Sequence, residues 1–412
     1  MKKISYRHIY TLNESMYEIY CQNGFKVILI PRENYLQTEM NLTINFGHLN
    51  KHINDTIEIP KGTAHFLEHI IFENNSKVWL DLLETPNIDL NASTNLFRTS
   101  FTLSTNKKID EVIHQFYNSI LDLEITESSI KKEREIIKHE LSMYTENREW
   151  KAKMKLLRNM YKSDCMSTDI IGTMKSIDEI NKSILLKAHK YFYTPNNIVL
   201  CIIGPVNFHN IKTFLDENTS ILIPSHFVPS PSIEEPMTVN KKADYQPNNS
   251  NSIYIGYKVL NTDNIGNLKF KLLLDLYIHL LEEESKTLYN DFLITLDIEV
   301  DSFKGIANIL FFSNAINLDS LENLIDVCKQ NINMNSICDS YFNHIILKKK
   351  GELLSTFNSS KKLARQIIDN HLQNSDFLKV LTILDSITKE EVLSMEDKVF
   401  YNNNKSVLHN FS

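Results

Sequence analysis

Residues 62–73 read GTAHFLEHIIFE, and His65, Glu68 and His69 stand within five of them. Pro60 and Thr63 precede the apolar-periodic run, which is how a helix begins. On a helix, His65 and His69 sit one turn apart at i and i+4, so both imidazoles leave the same face. That separation suits two neighbouring positions on one tetrahedral zinc. Glu68 lies beside the same face, where it can hold a water molecule and take its proton. The bland alternative is two partly buried histidines and a surface glutamate. Chance places H-x-x-E-H in roughly 3% of chains of this length and His and Glu content, and the motif by itself lacks a third protein ligand.

A second segment offers one. Thr126 opens a helical pattern that runs to Tyr161, with Glu127 near its positive N-terminal end. Within it Glu133 and Glu140 are two turns apart and project from one face. Inward-facing acids are costly without a cation. An exposed charged helix is the competing reading, because Lys132, Arg134 and Lys138 are near enough to pair with both.

Around these two segments the first half alternates strands and helices. Residues 16–31 form two apolar runs joined by Asn23-Gly24, a hairpin signal. Met40, Leu42, Ile44 and Phe46 alternate as in a half-buried strand. A further strand signal runs from Asn91 to Leu103, and residues 196–207 close the half as a buried strand. Residues 223–251 hold five prolines with Ser and Asn and read as a linker. The pattern then restarts: a strand at 252–260, a long helix through Lys269–Glu284, a strand near Ile306–Phe312, and helices to the end. The expectation is an α+β chain of two similar αβ halves, residues 1–222 and 252–412, each a sheet fed by hairpins and packed with helices.

Bulk properties exclude several classes. The chain has 412 residues with 42% hydrophobic content, enough for two cores, and a net charge of −7 gives no reason to expect nucleic acid. Cys21, Cys165, Cys201, Cys328 and Cys338 are scattered and never form C-x-x-C, as in a reducing compartment. Residues 1–20 lack an apolar signal core, and no apolar run approaches the roughly 20 residues of a membrane span. A soluble, cytoplasmic protein is expected.

H-x-x-E-H is the inverted zinc motif. GTAHFLEHIIFE, followed by KEREIIKHELSMYTENREW (residues 132–150) and by residues 173–207, resembles the pitrilysin-type zinc peptidases of family M16. The likeness spans nearly all of residues 15–210 and, less specifically, the second half. It is greatest to short bacterial members related to mitochondrial processing peptidase and to peptidases of peptide-antibiotic clusters. The resemblance implies one zinc ion per chain held by His65, His69 and Glu140, with Glu68 as general base and Glu133 as a supporting acid. It makes the second half a closing domain with mainly antiparallel sheet. It also implies that Asn91, Ala92, Ser93 and Thr94 form a sheet-edge strand, along which an unfolded peptide is added and read through its backbone.

The chain departs from that family in one respect. Members take an Arg and a Tyr from the second half or a partner subunit to hold the substrate. Here Arg365 is the only arginine after Arg158, and Leu310 stands near the expected position. A leucine cannot replace planar charged donors. The expectation is a peptide-maturing endopeptidase whose second, M16-like subunit supplies the Arg and Tyr. A homodimeric peptidase degrading oligopeptides or signal peptides, and a non-enzymatic scaffold subunit, are the alternatives. Trp79 and Trp150 read as packing residues, Phe97 and Phe101 as core packing with a substrate side-chain pocket as the alternative, His48 and His52 as loop residues, and His139 as a neighbour pointing about 100° away from the ligand face.

Overall fold

The computed structural model describes residues 3–9, 13–54, 56–74, 88–161, 166–219, 244–245, 253–260, 264–289, 299–300, 306–313, 318–332, 337–396 and 404–409. The chain forms two compact units. One comprises Met1–Met143, Thr168–Pro231 and Thr356–Leu372, and the other Tyr144–Ser167, Ser232–Ser355 and Gln373–Ser412. Each half therefore lends one segment to the other unit, which contiguous spans of 1–222 and 252–412 do not capture. Asn147, close to one such junction, breaks the expected helix. Its side chain accepts from Trp150 N at 2.9 Å and starts a new helix, so the expected helix 126–161 is two, Glu127–Glu146 and Arg148–Met160.

Among the described residues the first unit has nine strands in chain order: β1 (Lys3–Ile9), β2 (Glu14–Tyr20), β3 (Lys26–Pro31), β4 (Thr38–Ile44), β5 (His52–Ile53), β6 (Ile57–Glu58), β7 (Asp89–Thr94), β8 (Thr99–Thr105) and β9 (Ile198–Gly204). β5 and β6 pair only with each other, while the remaining seven form one sheet in the order β1-β2-β3-β9-β4-β8-β7. Only β3–β9 is parallel. The Asn23-Gly24 hairpin forms as the dipeptide demands, with Gly24 at φ +87°. Residues 91–103, expected as one strand, are instead the β7–β8 hairpin. Asn95 Oδ1 makes the turn by accepting from Phe97 N at 2.8 Å and Arg98 N at 2.9 Å.

Period-two alternation gives this sheet two different faces. Met40, Leu42 and Ile44 align with Leu103, Phe101 and Thr99 and with Ile202, Leu200 and Ile198, forming an apolar face. Asn41 and Thr43 align with Thr102 and Ser100 on the opposite face. Helix Thr63–Asn74 packs against β7, β8 and helix Lys182–Phe192. Helix Ser360–Leu372 lies across β4 and β9. Its contacts with the polar face include Asp369 with Arg98 at 2.6 Å, His371 with Lys26 at 3.0 Å and Lys361 with Asp89 at 3.0 Å. Covering both faces is why β4 and β9 are buried along their whole length.

The second unit has a five-stranded sheet: β10 (Asp244–Tyr245), β11 (Ile253–Leu260), β12 (Glu299–Val300), β13 (Ile306–Ser313) and β14 (Lys405–His409), ordered β10-β14-β11-β13-β12. Ile253, Ile255, Tyr257 and Val259 of β11 enter a core with Leu272, Leu273, Leu276 and Tyr277 of helix Asn264–Tyr289. On the other face, helix Arg148–Met160 packs on β11 so closely that a Cβ at Gly256 would stand 2.5 Å from Met160 Sδ. A closing strand, β14, replaces the expected run of helices to the end, because Val407 and Leu408 complete this sheet. Leu310 pairs with Gly256 across β13 and β11. The expected linker, apart from Asp244–Tyr245, lies outside the described residues, as do Trp79 and Cys165.

Arg98 is 4% exposed, and its charge depends on Asp369. Asp369→Ala should lower the unfolding free energy by about 3 kcal/mol, because it strands a buried guanidinium. Replacing both residues with apolar ones should recover most of that loss, as read by denaturant titration.

Candidate metal centre

The quoted stretch folds as helix Thr63–Asn74. Its entry is tight: Gly62 has φ +87°, and a Cβ there would stand 2.2 Å from Ile171 O. Thr63 Oγ1 donates to Pro60 O at 2.5 Å. Ala64, Phe66, Leu67, Ile70 and Ile71 are buried against the sheet, which turns His65, Glu68 and His69 toward the partly open side.

Helix Glu127–Glu146 buries Ile130, Glu133, Ile137 and Leu141, so Glu133 stands within an apolar stripe. The cations required by the competing reading bond elsewhere: Lys132 to Glu73, Arg134 to Ile177 O and Ile180 O, and Lys138 to Asp178. Glu133 Oε2 instead lies 3.0 Å from His69 Nδ1. Glu140 Oε2 lies 3.6 Å from His69 Nε2 and 3.8 Å from His65 Nε2. One ligand atom from each of His65, His69 and Glu140 falls within 4.8 Å of the others. Ligands on a tetrahedral zinc stand about 3.4 Å apart, from bonds near 2.0–2.1 Å, so a small inward movement would close the set. Two imidazoles and a carboxylate fit zinc. Glu133 fits it too, because a carboxylate on Nδ1 fixes the tautomer that leaves Nε2 free to bind.

The electrostatics separate the two histidines. Burial lowers His65 to about 4, aided by the neighbouring His69 charge. Burial acts the same way on His69, but hydrogen bonds to Glu133 and Glu140 overcome it and lift that ring to about 9. Glu140 is held below the usual carboxylate range chiefly by its bond to His69. Glu68 is raised, principally by burial, against the opposing hydrogen bond from Thr94.

Strand β7 is an end strand of its sheet. Asn91 and Ser93 are exposed, alternating with half-buried Ala92 and Thr94. Asn91 Oδ1 accepts from Ala92 N at 2.9 Å. Thr94 differs from its neighbours, since its hydroxyl donates to Glu68 Oε2. The sequence reading missed that bond; counting alternation back from Phe101 would have placed Thr94 on the helix-covered face. Phe97 and Phe101 are core residues, 5% and 0% exposed. His48 lies in the loop after β4, as expected, and is buried, whereas His52 opens the short strand β5. His139 is exposed and absent from the metal-binding group. Arg365 lies on the helix covering the polar sheet face, 3.9 Å from Asp369, whereas Glu68 stands on the apolar side.

The sequence profile of Insulinase (Peptidase family M16) matches residues 26–174, and that of the Peptidase M16 inactive domain matches residues 179–334. The chain belongs to the M16 peptidase family. It is 27% identical over 411 residues to an uncharacterised zinc protease, YmfH, of Bacillus subtilis, covering 95% of each chain. It is 25% identical over 177 residues to the mitochondrial-processing peptidase subunit beta of Neurospora crassa, covering 42% of this chain and 37% of that one. An M16-like peptidase from Alicyclobacillus acidocaldarius superposes with a TM-score of 0.83 at 22% identity, over 96% of this chain and 98% of the other. The M16-like two-domain fold is thereby shown, and the family with its zinc-protease relatives supports a zinc peptidase. No helix among the described residues is long and apolar enough to cross a membrane.

Zinc bound at this trio would have to displace the proton that His69 holds up to about pH 9, whereas His65, lowered to about 4, is already neutral at pH 7. Apparent zinc affinity should therefore rise about tenfold per pH unit toward pH 9, with release of about one proton near pH 7.5. Calorimetry in buffers of different ionisation enthalpy reads both. Glu133→Gln should weaken zinc binding by about 10–100-fold in chelator competition.

Proposed function

We propose that this chain is a zinc endopeptidase for unfolded peptides, with one zinc ion held by His65, His69 and Glu140. The carrying observation is the position of Glu68, whose neighbour His69 belongs to the trio and whose carboxylate is bonded to edge strand β7. A base, a metal site and a peptide-docking edge thus share one sheet corner. Bound zinc supplies Lewis acidity toward water and the scissile carbonyl. Glu68 removes a proton from that water and delivers it to the leaving amine, a task for which its raised affinity for protons suits it. Glu133 keeps the His69 ring turned so that Nε2 faces the ligand position. A peptide laid along β7 as a further strand bonds to backbone at Asn91–Thr94, which orients its amide toward Glu68 and favours extended, unstructured substrates.

The reaction is proposed to mature a small peptide by leader removal, with a second, M16-like subunit bringing the Arg and Tyr that hold the substrate. Support for a partner is internal. Arg365, the sole arginine after Arg158, lies by Asp369 on the sheet face away from Glu68. The scattered cysteines favour the cytoplasm. Self-sufficient degradation of oligopeptides is the second reading, favoured by docking that reads backbone alone.

The test is cleavage of a mixed library of unfolded peptides by the purified zinc-loaded chain, read by mass spectrometry. Glu68→Gln should retain zinc and lose activity by about a thousandfold or more. Full activity in that variant would sink the proposed chemistry. Cleavage by the chain alone would favour self-sufficiency, and silence broken only by a co-purifying M16-like chain would favour the partner.

A further inference from the structure

Glu68 sits on a helix, yet its carboxylate is steered from the sheet. Thr94, the last residue of β7, donates its hydroxyl proton to Glu68 Oε2. Thr94 Oγ1 lies 3.2 Å from Thr99 Oγ1, and the two residues are directly opposed in the β7–β8 register. Thr99 is fully buried and is anchored in turn, donating to Phe46 O at 2.9 Å. Each hydroxyl has a single proton, Thr99's given to Phe46 O and Thr94's to Glu68, so Thr99 backs Thr94 by contact and leaves the Thr94 proton for the carboxylate.

A glutamate has a broad terminal torsion, so an unanchored carboxylate beside a water molecule samples many orientations. One donated hydrogen bond removes that freedom by occupying Oε2, leaving Oε1 to face the reacting water. We propose that Thr94 is a positioning residue for the general base, fixing one oxygen of Glu68 so that the other is aimed at the water it deprotonates. The assignment rests on the reading of Glu68 as the base. It gives β7 a second task. The strand that docks substrate backbone through Asn91–Ala92 also carries the hydroxyl that sets the base, so peptide and carboxylate are registered to one rigid element.

Thr94→Val keeps the shape and β preference of the side chain and deletes the donor, whereas Thr94→Ser keeps the donor. In whichever preparation cleaves peptide, Thr94→Val should lower kcat by about 10–100-fold with KM within about twofold. Zinc content should stay at the wild-type value, Thr94→Ser should return to within about threefold, and Thr94→Val should add no further loss in a Glu68→Gln background. Crystals of the zinc-loaded chain give a readout without turnover: Glu68 in one rotamer with Thr or Ser at position 94, and spread over several in Thr94→Val. Unchanged kcat in Thr94→Val, equal damage by Val and Ser, a rise in KM alone, or an undisturbed Glu68 rotamer in Thr94→Val each overturns the inference. Full activity in Glu68→Gln overturns the base reading instead, so the two failures are told apart.

Discussion

The bond between Glu133 and His69 is the constraint from which the candidate centre follows. Glu133 is 4% exposed within an otherwise apolar helix stripe, where an unpaired carboxylate would be expelled or protonated. His69 Nδ1 at 3.0 Å compensates it, and the compensation works in both directions by lifting the imidazole to about 9. Helix Thr63–Asn74 is thereby tied to helix Glu127–Glu146 at one register, because a one-residue slip turns Glu133 out of the stripe by about 100°. With Glu133 fixed, Glu140 two turns later projects from the same side of the helix and stands 3.6 Å from His69 Nε2 and 3.8 Å from His65 Nε2. A single buried pair thus joins the two helices that carry the three candidate ligands.

The sheet beneath divides its labour between faces. The apolar face supports the helix that carries His65, Glu68 and His69, and the polar face is closed by helix Ser360–Leu372 through Arg98–Asp369 and Lys26–His371. Both faces being covered leaves β4 and β9 buried throughout, and β8 ties the edge strand β7 to them through continuous pairing. Chemistry that needs sub-ångström placement gains from a docking strand anchored this way rather than from a loop. The same arrangement limits specificity. Backbone pairing at an edge distinguishes extended from folded chains, but says little about side chains.

Much of this was legible in residues alone, for identifiable reasons. His65, Glu68, His69, Glu133 and Glu140 obey helical spacing, and helical spacing survives any tertiary context. The Asn23-Gly24 hairpin was equally plain, since the turn requires φ > 0 and Gly24 supplies it. Other features were not visible, and three of them turn on single polar side chains. Asn147 looked like a polar residue inside a helix, and only its capping bond to Trp150 N reveals a break. Asn95 likewise concealed a hairpin within one strand signal. The third was Thr94: its backbone role follows from the edge position, but its side-chain role depends on Glu68, 26 residues away in sequence. Long-range pairing of short polar residues has no periodic signature.

The two histidines also show why a symmetrical motif need not behave symmetrically. Each is a half-buried imidazole on one helix face, yet one is held near 4 and the other near 9. The difference is not burial, which lowers both. It is the second carboxylate, since His69 has Glu133 on Nδ1 as well as Glu140 on Nε2, while His65 Nδ1 is buried without a hydrogen-bond partner. At neutral pH the metal-free site therefore carries one imidazolium between two carboxylates, a cation already placed where zinc would bring its own charge. The protonated ring keeps Glu133 and Glu140 from repelling each other and holds the helices together before any metal arrives. On the zinc reading, the metal would take the place of that proton as the three ligand atoms draw together from their present spread of up to 4.8 Å.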